Sequence, residues 1–339
     1  MSVSVVMPAR NAERTIGRAI ESVLAQTLDN FDFVIVDHDS SDRTGAIIAE
    51  YARADRRIRK VECGGTFIEA CNTGWQLAKG ALIARMDADD WAYPHRLAEQ
   101  ALFLQQHPEL GACGAKVEIL KTDVSGRDTP PEGGYAEYER WINSVCDPSR
   151  IRIERFVDSP IPNPTAMIRR EVMEELQGYR DLPWAEDYDF WLRMLDSGRG
   201  IGKVPQTLLK WYDSDSRVTR NHERYRLSEF QRAKAHFLGR LPAVRAKGVV
   251  ISGAGPVGCE MLDLLRAEGI GCHAFIEVNP KLIGGEKKGI PVEGINSFSN
   301  WQEQAVIISA VGQKGSRERI REMLKPLNFT EGKDFFCVS

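Results

Sequence analysis

Three features that would place this chain outside ordinary cytoplasmic enzymes are missing from its sequence. No apolar run approaches the roughly 18 residues that a membrane-spanning helix needs, and the first residues lack the basic and apolar regions of a signal peptide. The net charge is −3, without the basic excess typical of nucleic-acid binding. We therefore expect a cytoplasmic protein that does not bind nucleic acid, with peripheral contact at the inner face of a membrane left open.

Closely spaced cysteines are missing as well. The seven cysteines are irregularly placed, and no pair has the C-x-x-C spacing of a zinc or redox site. This pattern fits a reducing compartment. With 42% hydrophobic and 27% charged residues the composition is globular, and 339 residues favour two domains. No pattern indicates the oligomeric state.

Apolar runs and helical patterns alternate along the first 120 residues. Short strands are predicted at residues 3–7, 33–36, 58–61 and 81–86, each followed by a segment with helical periodicity. This alternation predicts an α/β fold with a mainly parallel sheet. Ligands of such sheets bind beyond the carboxyl ends of the strands, so functional residues should follow these four strands.

The later part of the chain predicts a second, smaller domain. Residues 121–162, which contain paired prolines and paired glycines, are predicted to form a loop-rich insertion. A new strand–helix alternation begins near residue 248. We predict a first domain over residues 1–237, a linker over 238–247 and a small α/β domain over 248–339.

Three carboxylates follow the fourth predicted strand: Asp87, Asp89 and Asp90. Carboxylates crowded at a strand end repel one another, and a hard divalent cation suits oxygen ligands best. Such a cation could bridge a diphosphate and neutralise its charge as it leaves. A solvated turn is the alternative, because aspartate is common in turns.

The ordered motifs around these carboxylates resemble those of family 2 glycosyltransferases, which have the GT-A nucleotide-diphospho-sugar transferase fold. The D-A-D-D sequence at residues 87–90 resembles the family's D-x-D signature. The matching blocks are the opening at residues 7–13, the acidic loop at 36–44, the third block at 64–74, and the E-D block at 184–193 with the stretch 161–167 before it. The resemblance runs to about residue 237.

The resemblance implies an activity. The chain would transfer a sugar, with inversion, from a nucleotide-sugar to a glycan or lipid-linked acceptor, in polysaccharide or cell-surface glycan synthesis. The family implies Mn²⁺ or Mg²⁺ as the cofactor, and a UDP-sugar is the favoured donor.

The resemblance also assigns roles to residues. The nucleotide-sugar would lie against Pro8, Ala9, Arg10, Asn11, Asp37, Asn72, Asp87 and Ala88. Asp89 would ligate the metal, with Asp87 on the ribose side and also available as a ligand. Asp187 would be the base that takes the proton of the acceptor hydroxyl. Glu186 would orient this base or contact the acceptor, and Trp184 would stack on a sugar face.

Two of these assignments have a plainer alternative. Asp37 could simply begin a turn in which Ser40 and Asp42 cap the next helix. Glu186 and Asp187 could merely begin a helix, where acidic residues are favoured by the helix dipole.

The sequence departs from the family at three positions. His38 stands where a second acid often follows, Cys71 where an arginine often contacts the diphosphate, and Ser214 where a metal-binding histidine often lies. His222, eight residues further on, could substitute as a ligand, although a lone histidine more often lies on the surface or packs. A non-catalytic nucleotide-sugar-binding protein is therefore an alternative.

The second predicted domain contains a G-x-G-x-x-G sequence formed by Gly253, Gly255 and Gly258 between a strand and a helix. Such glycines let a pyrophosphate approach the helix N-terminus, and Glu277 ends the next strand where an acid can bind a ribose hydroxyl. The module resembles small Rossmann-like domains appended to sugar-modifying enzymes. NAD or another nucleotide is a candidate ligand, with an NAD-dependent sugar oxidoreductase or epimerase as the rival function. A docking module without a nucleotide is the other alternative.

Overall fold

The computed structural model describes residues 1–122, 127–213 and 222–339, which divide into two compact units. The first unit comprises residues 1–151, 160–182 and 186–221. The second comprises residues 152–159, 183–185 and 222–339. Three separate stretches of sequence therefore contribute to each unit.

The strands of the first unit are β1 (Val3–Ala9), β2 (Phe31–His38), β3 (Ile58–Cys63), β4 (Leu82–Arg85), β5 (Trp91–Ala92), β6 (Leu110–Thr122), β7 (Asp128–Thr129), β8 (Met167–Arg169) and β9 (Gly200–Tyr212). Its helices are α1 (Ile16–Leu24), α2 (Thr44–Ala54), α3 (Phe67–Leu77), α4 (Arg96–Gln106), α5 (Gly134–Ser144), α7 (Arg170–Glu175) and α8 (Glu186–Asp196). Helix α6 (Pro148–Glu154) begins in this unit and ends in the second.

The described strands of the first unit form one mixed sheet in the order β3-β2-β1-β4-β8-β6-β9-β5, with β7 paired to β6. Strands β1 to β4 are parallel, as the alternating sequence predicts. Strand β8 runs antiparallel to both β4 and β6. The reversed strand β8 therefore separates the parallel strands β1 to β4 from β6 and β9, which run in the same direction as β4.

Both faces of this sheet are covered, which explains why its central strands are apolar throughout. In β1, Val5 and Met7 belong to one core cluster and Val6 to another, because successive side chains point to opposite faces. Helix α1 packs on the first face with the residues that its periodicity predicts, including Ile16 and Ile20. Helices α3 and α8 contribute to the second face.

The region predicted as a loop-rich insertion is more ordered than the sequence suggests. Strand β6 continues to Thr122, and residues 134–154 contain helices α5 and α6. Strands β6 and β9, each of 13 residues and paired in parallel, were not predicted. Their polar residues break the simple apolar pattern, and it is pairing along their length that holds them extended.

The second unit contains helices α9 (Leu227–Arg240), α10 (Pro242–Lys247), α11 (Pro256–Ala267) and α12 (Ser316–Leu324). Its strands are β10 (Val249–Ser252), β11 (Cys272–Glu277), β12 (Glu286–Lys287), β13 (Ile290–Gly294), β14 (Val306–Ser309) and β15 (Phe335–Cys337). The predicted linker 238–247 is wrong as a linker, because it forms the end of α9 and all of α10.

The sheet of the second unit has the order β12-β13-β11-β10-β14-β15. Strands β13, β11, β10, β14 and β15 are parallel, and β12 forms an antiparallel pair with β13. Numbered within the unit, the parallel strands have the order 3-2-1-4-5 of doubly wound nucleotide-binding sheets. The predicted small α/β domain is therefore present, with additions from earlier in the chain.

Residues 152–159 are held in the second unit by ring packing, an ion pair and a hydrogen bond. Phe156 is fully buried and meets the Phe336 ring edge-on, with the ring centroids 5.6 Å apart. Arg321 on α12 pairs with Glu154 at 2.8 Å, and the Lys234 ammonium donates to the carbonyl of Val157 at 2.9 Å. A cut at residue 247 would remove Phe336 and Arg321, so the sequence-based boundary does not separate independent parts.

Replacing Phe156 by alanine should lower the free energy of unfolding by about 3–5 kcal/mol, because a buried ring is lost from the core of the second unit. Leu227→Ala, at a side chain that is 69% exposed, is the control and should change it by less than about 0.5 kcal/mol. Urea unfolding followed by circular dichroism measures both. Equal, small changes would show that Phe156 does not anchor residues 152–159.

Candidate active site

The carboxyl ends of β1, β2 and β4 meet at one edge of the first sheet. Ala9 at the end of β1 pairs with Asp37 of β2, and Val6 pairs with Arg85 at the end of β4. Pro8 and Ala9 are buried in β1, whereas Arg10 just beyond it is exposed. The sheet register therefore brings the first and second predicted blocks to the edge where ligands of α/β sheets bind.

The three carboxylates after β4 lie together. Asp87, Asp89 and Asp90 each offer one carboxylate oxygen, and these three oxygens lie within 4.8 Å of one another. Within the described part of the chain, this is the group of side chains that could hold a metal ion. Asp90 is fully buried and accepts a hydrogen bond from the backbone N–H of Tyr212 at 2.9 Å. A solvated turn does not explain a buried carboxylate, and the three oxygen donors fit a hard divalent cation.

Arg85 supplies a positive charge beside this cluster. Its guanidinium pairs with Asp87 at 2.7 Å and also donates to the carbonyl of Met86. Burial opposes its charge, but Asp87 and other neighbours, including Glu186, raise the pKa of Arg85 above its ordinary value. Arg85 was not among the predicted site residues, although an arginine inside the apolar strand β4 is a signal of a specific partner.

Cys71 lies near Arg85, and its thiol is uncharged. Burial raises the pKa of the Cys71 thiol to about 12, so it stays neutral at ordinary pH. Arg85, Asp87, Glu186 and Asp187 are among the charges that act on it. A buried arginine of β4 therefore lies near the position at which the third block has Cys71.

Asp187 and Glu186 begin helix α8, as one alternative expected, but their surroundings are unlike an exposed helix start. Glu186 is 2% exposed and Asp187 is half-buried. Burial, and then the neighbouring Glu186 carboxylate, raise the pKa of Asp187 well above its usual value, and Asp87 adds to this effect. A carboxylate with raised basicity within electrostatic reach of the Asp87 cluster suits general base chemistry.

The loop after β2 supports the turn alternative in part. Asp42 accepts from the Thr44 N–H at 2.9 Å at the start of α2, and Asp37 accepts from the Ser40 N–H at 3.3 Å. Asn11, at a φ of 48°, accepts from the Ser41 N–H at 2.9 Å. Asn11 thus ties the end of β1 to the acidic loop, while Asp37 takes part in the turn. His38, the departure at the next position, is buried.

Asn72 has a structural role in this fold. Its amide nitrogen donates to the Tyr179 carbonyl, and its amide oxygen accepts from the Tyr179 N–H and the Trp75 indole, all at 2.9 Å. These contacts join α3 to the chain before α8. They occupy both ends of the Asn72 amide, so nothing in the geometry supports its predicted contact with the nucleotide. Ala88 is buried.

Trp184 and His222 lie in the second unit. The Trp184 ring is 8% exposed and packs against His236, with the ring centroids 5.5 Å apart, which leaves little of it to stack on a sugar. His222 accepts from the Arg224 N–H at 3.3 Å and caps a 3-10 turn. It is not part of the aspartate group. The predicted departure at Ser214 lies outside the described residues.

The glycine sequence of the second unit adopts the turn its motif predicts. Gly253 has a φ of +102°, and a Cβ at Gly258 would come within 1.9 Å of the Gly253 carbonyl oxygen, so both need glycine. Glu277 accepts from the N–H groups of Ala254 at 3.0 Å and Val278 at 2.8 Å. Its carboxylate therefore braces the turn.

Comparison with known proteins identifies the family to which this chain belongs. Glycosyl transferase family 2 matches residues 4–177, and the chain belongs to that family. An uncharacterized glycosyltransferase of Haemophilus influenzae is 30% identical over 229 residues, which are 65% of this chain and 69% of the relative.

Two further proteins extend this comparison. The Escherichia coli enzyme WfgD, named as a UDP-Glc:α-D-GlcNAc-diphosphoundecaprenol β-1,3-glucosyltransferase, is 37% identical over 130 residues, covering 38% of this chain and 51% of the relative. The crystal structure of S. aureus TarS residues 1–349 in complex with UDP-GlcNAc has a TM-score of 0.53 and 19% identity, covering 71% of this chain and 68% of that 1–349 chain. The predicted GT-A fold is confirmed, and these relatives do not support NAD chemistry. Among the described residues no helix is long and apolar enough to cross a membrane.

Asn72→Ala separates the structural role from the predicted nucleotide role. We expect a loss of about 1–3 kcal/mol in unfolding free energy, since the Tyr179 backbone groups lose their partners, with nucleotide affinity unchanged below the unfolding temperature. Thermal unfolding and calorimetric titration with UDP and Mn²⁺ measure the two effects. A large loss of UDP affinity with unchanged stability would restore Asn72 to the nucleotide site.

Proposed function

We propose that this family 2 glycosyltransferase uses a UDP-sugar and a divalent cation, and transfers the sugar with inversion to a glycan or lipid-linked acceptor. The observation that carries the proposal is the gathering of Asp87, Asp89, Arg85 and Asp187 in one unit of the fold. Family membership establishes the class of reaction. The arrangement supplies carboxylates for a metal ion, a positive charge and a candidate base. The UDP-Glc named for WfgD supports the donor.

Asp89 and Asp87 would hold Mn²⁺ or Mg²⁺, with Asp90 fixed behind them by the Tyr212 N–H. A cation bound there would neutralise the diphosphate as it leaves. Arg85 pairs with Asp87 and fixes its orientation. It also brings a second positive charge near the position expected for the diphosphate, where Cys71 replaces the usual arginine.

Asp187 would accept the proton of the acceptor hydroxyl while that oxygen attacks the anomeric carbon opposite the leaving diphosphate, which inverts the configuration. Its N-terminal position on α8 and its contact with the Tyr188 N–H at 2.8 Å fix the carboxylate. Glu186 raises the proton affinity of Asp187 by like-charge repulsion. Glu186 is thus a positioning residue for the base.

Asp89→Ala should lower Mn²⁺-dependent hydrolysis of a UDP-sugar by at least about 100-fold, because the leaving diphosphate loses its charge compensation. Asp29→Ala, at an exposed acid far along the sequence from the cluster, is the matched control. Release of UDP, followed with a coupled assay over a Mn²⁺ series, is the measurement. If Asp89→Ala keeps the wild-type rate, the assignment of the metal site is wrong.

Asp187→Asn should keep UDP affinity but reduce kcat by about 10²–10⁴-fold, the usual contribution of a general base. The wild-type rate should fall as pH decreases through the raised pKa of Asp187, since the protonated acid cannot accept a proton. That midpoint should lie above the value of about 4 for an ordinary aspartate.

The pH–rate profile of the variant is the control for this assignment. Asp187→Asn should lose the acidic fall in rate, because an amide does not titrate. Transfer at the wild-type rate, or an unchanged acidic fall, would exclude Asp187 as the base.

A further inference from the structure

The second unit contains a cavity that the glycosyl-transfer reaction does not use. It has a volume of about 290 Å³ and lies at the carboxyl ends of β10, β11 and β14. Its walls include Ser252, Gly255, Glu277, Ser309 and Arg319. Ligands of parallel sheets bind at this edge, next to the strand from which the chain order runs outward in both directions. In this sheet that strand is β10, which lies between β11 and β14.

Two serine residues line this cavity, and little of either residue is exposed elsewhere. Ser252 is 7% exposed and Ser309 is 3% exposed, at the ends of the adjacent strands β10 and β14. Within the described ranges, neither hydroxyl has a hydrogen-bond partner in the protein, and neither is shielded from solvent. Each hydroxyl is therefore available to hydrogen-bond a polar ligand in the cavity.

Basic groups lie in and beside the cavity. Arg319 from α12 lines it, together with the oppositely charged Glu277, and beside it the Lys287 ammonium donates to the Ala254 carbonyl of the glycine turn at 2.6 Å. Helix α11, of 12 residues, begins at Pro256 and directs its free N–H groups toward this end. An anionic group, such as a phosphate, is favoured here.

The remainder of the cavity is apolar and partly open. Val257, Ile276 and Val311 contribute to its walls, and Val278 and Ile295 line it while being 69% and 40% exposed. Exposed aliphatic side chains beside a cavity suit a flat, weakly polar ring. The ligand should therefore combine an apolar ring with an anionic end.

The size of the cavity limits the ligand. At about 290 Å³ it lies just below the range of roughly 300–1,000 Å³ that is usual for small-molecule sites. A single nucleotide matches this volume better than a dinucleotide such as NAD. Glu277, engaged by the Ala254 and Val278 N–H groups, faces the cavity where a ribose hydroxyl would lie.

We propose that this cavity binds a mononucleotide, with the base between the aliphatic walls and the phosphate on the Gly253–Gly255 turn near Arg319. Ser252 and Ser309 would hydrogen-bond the ligand. The site needs no metal, since the charge compensation comes from the chain. It is therefore separable from the donor site, and it makes the second unit a nucleotide-responsive module.

Gly255→Asp tests the site directly. A Cβ at Gly255 would meet no atom within 4 Å, and its φ of −75° and ψ of −173° suit any residue, so the change projects a carboxylate into the phosphate position without strain. Gly271→Asp is the matched control, because Gly271 is also open and does not line the cavity. Both variants carry the same added charge in the same unit.

The full-length protein is titrated calorimetrically in EDTA with AMP, UMP, GMP, CMP and NAD. We expect one mononucleotide to bind with affinity unchanged in Gly271→Asp and in Asp89→Ala, and weakened at least about tenfold in Gly255→Asp. The binding to Asp89→Ala separates this site from the donor site, so failure of either proposal leaves the other standing.

Three results would overturn the proposal. These are no binding of any mononucleotide to the wild type, full binding to Gly255→Asp, or NAD binding more than about tenfold tighter than every mononucleotide.

Discussion

The first unit depends on one electrostatic constraint, the crowding of three carboxylates at the end of β4. Asp87, Asp89 and Asp90 bring their oxygens within 4.8 Å, an arrangement that repulsion alone would disperse. Asp90 accepts a hydrogen bond from the Tyr212 N–H of β9, and Asp87 forms an ion pair with the buried Arg85. Contacts from β9 and β4 thus hold two of the three carboxylates, and in the proposed function a cation completes the charge balance.

The mixed sheet explains how these contacts come together. Strand β4 ends the run of adjacent parallel strands that begins at β3, and the reversed strand β8 lies between it and β6. Tyr212 reaches Asp90 from the end of β9, a strand distant in sequence. The donor chemistry proposed for the β4 edge and the base proposed at the start of α8 are in one unit because α8 packs on a face of the same sheet.

Local patterns in the sequence predicted the parallel strands, the amphipathic helix α1 and the carboxylate cluster, because each is encoded within a short stretch. Contacts between distant parts of the sequence were not predicted. Strands β6 and β9 pair with each other along their length. The role of Arg85 depends on its contact with Asp87 and on the nearby charge of Glu186. Motif resemblance assigned Asn72 and Trp184 to ligands, whereas in the fold their polar or aromatic groups contact the protein. The domain boundary was missed for the same reason, since Phe156 contacts a strand that lies far along the chain.

The central claim is that the aspartate cluster binds a divalent cation together with the nucleotide. The most direct measurement is the electron paramagnetic resonance signal of free Mn²⁺, titrated with the wild-type protein in the absence and presence of UDP. We predict weak capture of Mn²⁺ alone and loss of the free signal at one equivalent once UDP is added. A free Mn²⁺ signal that UDP and protein together leave no lower than UDP alone would contradict the account.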